Sequence, residues 1–224
     1  CDFTRRQLPL PAARRSPRHS PSILPPGREC RIMDAVILRW EDTAMDWMEE
    51  VQQKLRRKNQ ILFSADSPFL QGLANALSGC GHQALVLWAL ELAEADVCLL
   101  EKAYPEDPRP RGALAAAWMW ASGDIKMRAA QRAILDCHAV AKEISSPEHI
   151  ALCHAVGQAC GVVHTPGHAM GLPIYELTAL VRRDGPEHCR AAVEARRQTY
   201  LVRLDYWKLH ASEVDRPWAP FLCR

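Results

Sequence analysis

Apolar residues recur at spacings of three and four along most of this chain. No window alternates apolar and polar over the length of a strand, so the pattern is helical throughout. It predicts one all-α domain of about seven or eight helices over residues 33–210, preceded by an extension at 1–32 and followed by a coil tail at 211–224. The first helix covers Asp34–Lys58. Val36, Trp40, Ala44, Trp47, Met48, Val51 and Leu55 form its apolar stripe, and a basic run closes it where the helix dipole favours cations. Ser67-Pro68 reads as an N-cap with proline at the first helical position, opening a short helix to Leu77. The next helix, Gln83–Ala103, carries a wide stripe through Leu85, Trp88, Ala89, Leu92, Ala95, Leu99 and Ala103, which predicts a central place.

Pro105, Pro108 and Pro110 then impose a stiff turn, because each proline fixes its own φ and biases the residue before it away from helix. Asp107 is placed to pair with Arg109 or Arg111. The turn is either a connector or a charged surface presented to a partner. A helix over Arg111–Ala121 follows, with Trp118 and Trp120 on different faces, one of them in the core. Gly123-Asp124 breaks the chain. Helices at Lys126–Ile144 and Glu148–Val163 are lined by small residues that allow close approach. Pro166 removes a backbone donor and clashes with the carbonyl of Val162, at a cost of roughly 3 kcal/mol in a helix interior, so the chain must kink or stop there. Helical spacing resumes over Met170–Arg182, ends at Asp184-Gly185-Pro186, and returns over Glu187–His210.

Of the overall charge of +2, residues 1–32 carry +5 from seven arginines against Asp2 and Glu29, so the remainder is mildly acidic. That remainder does not have the basic balance of a nucleic-acid binder. Residues 1–32 are rich in proline and arginine and poor in apolar residues. They do not repay the entropy of ordering. They read as an extension of vector or upstream origin, or as a basic arm for acidic partners, and they lack the apolar run of a secretory signal. The nine cysteines are scattered singly with no C-x-x-C, the usage expected of a reduced, cytoplasmic chain. No apolar run is long enough to span a membrane.

Candidate chemistry is confined to histidines. His164 and His168 are four apart, and His138 or His154 would complete a divalent metal site if the helices packed suitably. Pro166-Gly167 disturbs the helix between the pair. A histidine beside the kink would equally serve to bond the carbonyl freed by the proline. Cys137-His138 and Cys153-His154 are adjacent on helices and point about 100° apart, which makes them poor catalytic dyads.

Several elements taken together are similar to a known family. They are Leu87-Trp88-Ala89, the turn Pro105-Glu106-Asp107-Pro108-Arg109-Pro110-Arg111, Trp120-Ala121-Ser122-Gly123-Asp124-Ile125, Cys137-His138-Ala139, and Gly157-Gln158-Ala159 with His164-Thr165-Pro166-Gly167-His168-Ala169. This run, from about Gly81 to Ala179, resembles the helical immunity proteins of bacterial polymorphic toxin systems. Gln158 stands where the pattern has histidine, and Cys137 where it has alanine. The resemblance implies an all-α fold and a non-enzymatic, cofactor-free, cytoplasmic protein that neutralises a cognate toxin, with no nucleic-acid or membrane partner. The surface expected to meet that toxin is Glu106, Asp107, Arg109 and Arg111, flanked by Trp118 or Trp120. The alternative is a helical metal- or small-ligand-binding protein, possibly a hydrolase, using His138, His154, His164 and His168.

Overall fold

A computed structural model describes residues 46–223. The expectations for residues 1–32, and for Val36, Trp40 and Ala44 in the first expected helix, lie outside the described residues. Among the described residues the chain forms eight α-helices and no strand. They are α1 (Trp47–Arg56), α2 (Pro68–Ser78), α3 (His82–Ala103), α4 (Arg109–Ser122), α5 (Met127–Val140), α6 (Pro147–Gly161), α7 (Gly171–Asp184) and α8 (Arg190–His210).

The starts and stops have local causes. Asp46 Oδ1 accepts a hydrogen bond from the Met48 amide at 3.1 Å and caps α1. Ser146 Oγ caps α6 through the His149 amide, with Pro147 following it. Pro68 does open α2, yet the Ser67 hydroxyl makes no cap bond and instead donates to Glu50 Oε2 at 2.6 Å. That bond ties the start of α2 to α1. Gly123, at φ 85°, ends α4 in the left-handed region that glycine tolerates. α5 stops at Val140, short of the expected Ile144. Lys142 and Glu143 bond back three residues to Ala139 and Val140, which tightens the last turn ahead of Pro147.

α3 and α6 are the central helices. α3 packs on α4, α6 and α8, while α6 packs on α3, α4, α5 and above all α7. The expected stripe on α3 is only half correct. Val86, Leu87, Leu90, Val97 and Leu100 are buried with Leu85, Trp88 and Leu92, but Ala95, Leu99 and Ala103 face outward. The helix is covered on most sides over its first three turns and on one side afterwards. At one end Trp47, Phe63 and Phe69 form an aromatic cluster with centroids 5.2–6.1 Å apart. It is covered by Arg190 over Trp47 and Arg197 over Phe69. The segment after His210 is docked on α4. The Ala219 amide donates to the Ala121 carbonyl at 2.8 Å, Phe221 lies against Trp120, and Leu222 is buried.

One polar knot crosses the core. Fully buried Tyr200 on α8 donates to Glu176 Oε2 on α7 at 2.8 Å, and Trp88 Nε1 on α3 donates to the Tyr200 carbonyl at 3.0 Å. Arg196 Nε lies 2.5 Å from Glu176 Oε1. Asp96 of α3 is buried beside them, its Oδ2 without a hydrogen-bond partner among the described residues. Burial, reinforced by the nearby Glu176 charge, holds the Asp96 carboxyl well above the usual carboxylate range. Burial raises Glu176 too, against the opposing pull of Arg196. Removing one member leaves the others buried and uncompensated. Glu176→Ala is expected to cost about 3–5 kcal/mol in chemical denaturation, because it strands Arg196 and the Tyr200 hydroxyl.

Candidate functional site

The proline-rich turn is held from inside. The Asp107 amide bonds the Tyr104 carbonyl at 3.0 Å, closing a β-turn with Pro105 in its second place. Asp107 Oδ1 then accepts from the Arg109 amide at 3.0 Å and from Arg109 Nε at 2.9 Å. The guanidinium reaches onward: Nη1 and Nη2 donate to Glu143 at 2.8 and 2.6 Å, so a bidentate pair joins the turn to the α5–α6 connection. Arg111 does the same for α3, donating to Glu101 through Nε and Nη2 at 2.8 Å each and to Glu94 at 2.6 Å. Hydrogen bonds from Arg109 hold the Asp107 carboxyl below its ordinary range. Of the two partners open to Asp107, the structure chooses Arg109. Glu106 is exposed at the crest, and Tyr104 through Arg109 line a shallow depression of about 520 Å³.

The two tryptophans expected beside this turn are at the other end of α4. They lie nine and eleven residues beyond Arg109, about 13–16 Å along the helix. Trp120 is buried, stacked on His164 at 6.0 Å and 22°. Trp118 is half-buried under Arg216, whose guanidinium sits 4.2 Å above the ring. Neither forms a single surface with Glu106, Asp107, Arg109 and Arg111.

Inside the bundle a polar seam runs between α5, α6 and α7. His138 Nδ1 and His154 Nδ1 are 2.9 Å apart, and His154 lies against Tyr175 with centroids 5.1 Å apart. His168 Nδ1 donates to Gln158 Oε1 at 2.8 Å. Three glycines make the room. A Cβ on Gly157 would collide with the His138 ring, one on Gly161 would stand 3.0 Å from His168, and one on Gly171 would stand 2.5 Å from Gln158. Burial, with smaller contributions from His154 and His168, pushes His138 down to about 4, and burial lowers His154 as well. Both rings are therefore neutral at pH 7, and one nitrogen of the pair donates while the other accepts. His154 and Tyr175 also border a groove of about 410 Å³ with Ile61, Pro147 and Ile150.

The four expected histidines thus divide. His138, His154 and His168 share the seam, while His164 is away on Trp120. Among the described residues no group of three or more His, Cys, Asp or Glu is placed to hold a metal ion. The buried thiols are not activated either: burial pushes Cys153 and Cys160 up to about 12. The carbonyl freed by Pro166 is bonded by a histidine, but by His82. Its Nε2 lies 2.7 Å from the Val162 oxygen, and Pro166 itself opens a short 3-10 turn to Met170. Nothing near His82 in the sequence points to this role, since its partner is eighty residues away. The acceptors Glu94, Glu101 and Glu143 were equally unmarked.

What these residues build is an all-α domain with a stiffened charged edge outside and a glycine-seated polar seam within. Residues 75–203, more than half of the chain, match the family model described as Imm-5 like putative immunity protein, and the chain belongs to this family. No curated protein and no solved structure matches it. The match takes in the turn, the seam and the buried knot. Among the described residues no helix is long and apolar enough to cross a membrane.

Two measurements test the seam. Gly157→Ala is expected to lower stability by about 1–3 kcal/mol through overpacking against His138, read by thermal or denaturant melting. The unfolded chain takes up a proton at the ordinary imidazole value near 6.5, and folded His138 only near 4. The His138 contribution is therefore complete above pH 6.5 and is lost as the pH falls towards 4. His138→Asn is expected to flatten the melting-temperature profile across that window, relative to the parent chain.

Proposed function

We propose that this chain binds and neutralises a cognate toxin protein, without catalysis, through the outer face of the 105–111 turn. Membership of the immunity family supports the toxin as the class of partner. The observation that carries the surface is the double clamp. Arg109 is locked between Asp107 and Glu143, and Arg111 between Glu94 and Glu101. Exposed ion pairs contribute only about 0–1 kcal/mol each to stability. Their rigidity matters more to binding: charges already held in place lose little entropy when a partner docks. Electrostatic complementarity at such an edge sets partner choice and association rate. Glu106 is exposed on this turn with no side-chain bond of its own among the described residues, and the depression it lines offers room for a partner side chain. Trp118 and Trp120 are not part of this surface.

The test uses the toxin recovered as a stoichiometric partner from the source cells, and measures neutralisation on co-expression. Glu106→Lys touches no internal contact and is expected to weaken binding at least tenfold, about 1.4 kcal/mol, with the melting temperature unchanged. Asp107→Ala/Arg109→Ala is expected to weaken it further. Full neutralisation by both variants in folded protein would remove the turn from the interface.

A further inference from the structure

The groove beside the polar seam is lined by residues whose hydrogen-bonding groups the fold leaves unused. His154 Nδ1 is taken up by His138, so its Nε2 has no partner among the described residues. Tyr175, Asn59 and Gln60 also line the groove, and the Tyr175 hydroxyl and the two side-chain amides are likewise unpaired among the described residues. Ile61, Pro147 and Ile150 supply apolar wall between these polar groups. No charged side chain lines the groove among the described residues. Burial holds His154 below the ordinary imidazole value, so the ring is neutral at pH 7. With a volume near 410 Å³ the groove falls within the size range of small-molecule sites, about 300–1,000 Å³.

Three rings lie in series here. His138, His154 and Tyr175 follow one another at centroid distances of 5.1 Å, tilted by 34° and 35°, and the last two border the groove. The loop that forms the wall at Asn59–Ile61 is held in place by the fold. Lys58, at φ 58°, turns the chain out of α1 in the left-handed region. Arg182 Nη2 on α7 donates to the Asn59 carbonyl at 2.7 Å, and the Leu62 amide donates to Thr178 Oγ1, also on α7, at 3.1 Å. α7 thus pins both ends of this wall and carries Tyr175 as well. We infer that the groove binds a small, uncharged, planar heteroaromatic molecule of nucleoside size, laid against the His154 and Tyr175 rings with its polar edge towards Asn59 and Gln60. Aromatic rings favour a flat guest, and a side-chain amide pairs with an edge that both donates and accepts. His154 suits either kind of edge. Neutral imidazole has one N–H, so Nε2 donates when Nδ1 accepts from His138 and accepts when Nδ1 donates. A charged ligand would lose its water with no countercharge on the lining to compensate. The groove lies between α6, α7 and the loop after α1, so the inference does not rest on the toxin-binding turn.

Isothermal titration calorimetry of the full chain with adenosine, inosine, cytidine and uridine at pH 7 is the test. At least one nucleoside is expected to bind with a dissociation constant below about 1 mM. Its 5′-monophosphate is expected to bind no tighter, because no lining residue offers a positive charge. Tyr175→Ala is expected to weaken binding roughly tenfold or more, and Tyr175→Phe, which keeps the ring, by less. Asn59→Ala removes a side chain with no bond of its own, and is expected to weaken binding severalfold with the melting temperature unchanged. No binding of any of these nucleosides at millimolar concentration overturns the inference. So does binding indifferent to both Asn59→Ala and Tyr175→Ala, a monophosphate that binds tighter than its nucleoside, or a toxin complex in which a toxin side chain fills the groove.

Discussion

Gly157, Gly161 and Gly171 set how closely the central helices approach, and much of the interior depends on that approach. With no Cβ at these places, α6 and α7 close together and α5 comes down on α6 through the His138 ring itself. The half-buried polar groups brought together there pair with one another, because an unpaired donor or acceptor shielded from water costs about 1–3 kcal/mol. They do so in two pairs, His138 with His154 and Gln158 with His168. The low imidazole value of His138 follows from the same closure, through burial first and its histidine neighbours second. What resembles a catalytic or metal-binding cluster along the chain is, in space, two side-chain pairs in which the His138 and His168 rings sit against glycine, with His164 apart on Trp120.

The break after α6 obeys the same accounting. Pro166 cannot bond the Val162 carbonyl, and a buried carbonyl requires a donor. His82, at the start of α3, provides it from a distant part of the chain. The helix therefore stops where proline dictates, yet the freed group becomes a tie between α3 and the end of α6. The Asp96–Glu176–Arg196–Tyr200 knot ties α3 to α7 and α8 in a comparable way. Two polar ties at separate points fix the angle of the central helix more sharply than apolar contacts alone, which tolerate sliding.

Rigidity inside and rigidity at the charged turn serve different ends. The internal ties stabilise one packing of the helices. The arginine clamps add little stability in water, but they present fixed charge at an edge.

The helices themselves were legible in the sequence. Three-four periodicity placed α3 to within a residue, Pro68 and Gly185 marked element ends, and Pro166 marked the break, because these are local consequences of side-chain spacing and backbone geometry. The turn was legible as stiff and charged for the same reason. The partners of its charges were not: Glu143 and Glu94 meet Arg109 and Arg111 only because α3, α4 and α5 stack side by side. Periodicity put Leu99 in the core, but a stripe says which residues share a face, not how far along the helix that face is covered. The segment after His210 meets both tryptophans, Arg216 over Trp118 and Phe221 against Trp120, and only Trp120, stacked also on His164, is buried. The four histidines looked equivalent until packing separated His164 from the rest. The chain's local chemistry determined which helices form and where they end; long-range packing alone decided which polar groups met, because those contacts join residues that only the closed fold brings within hydrogen-bond reach.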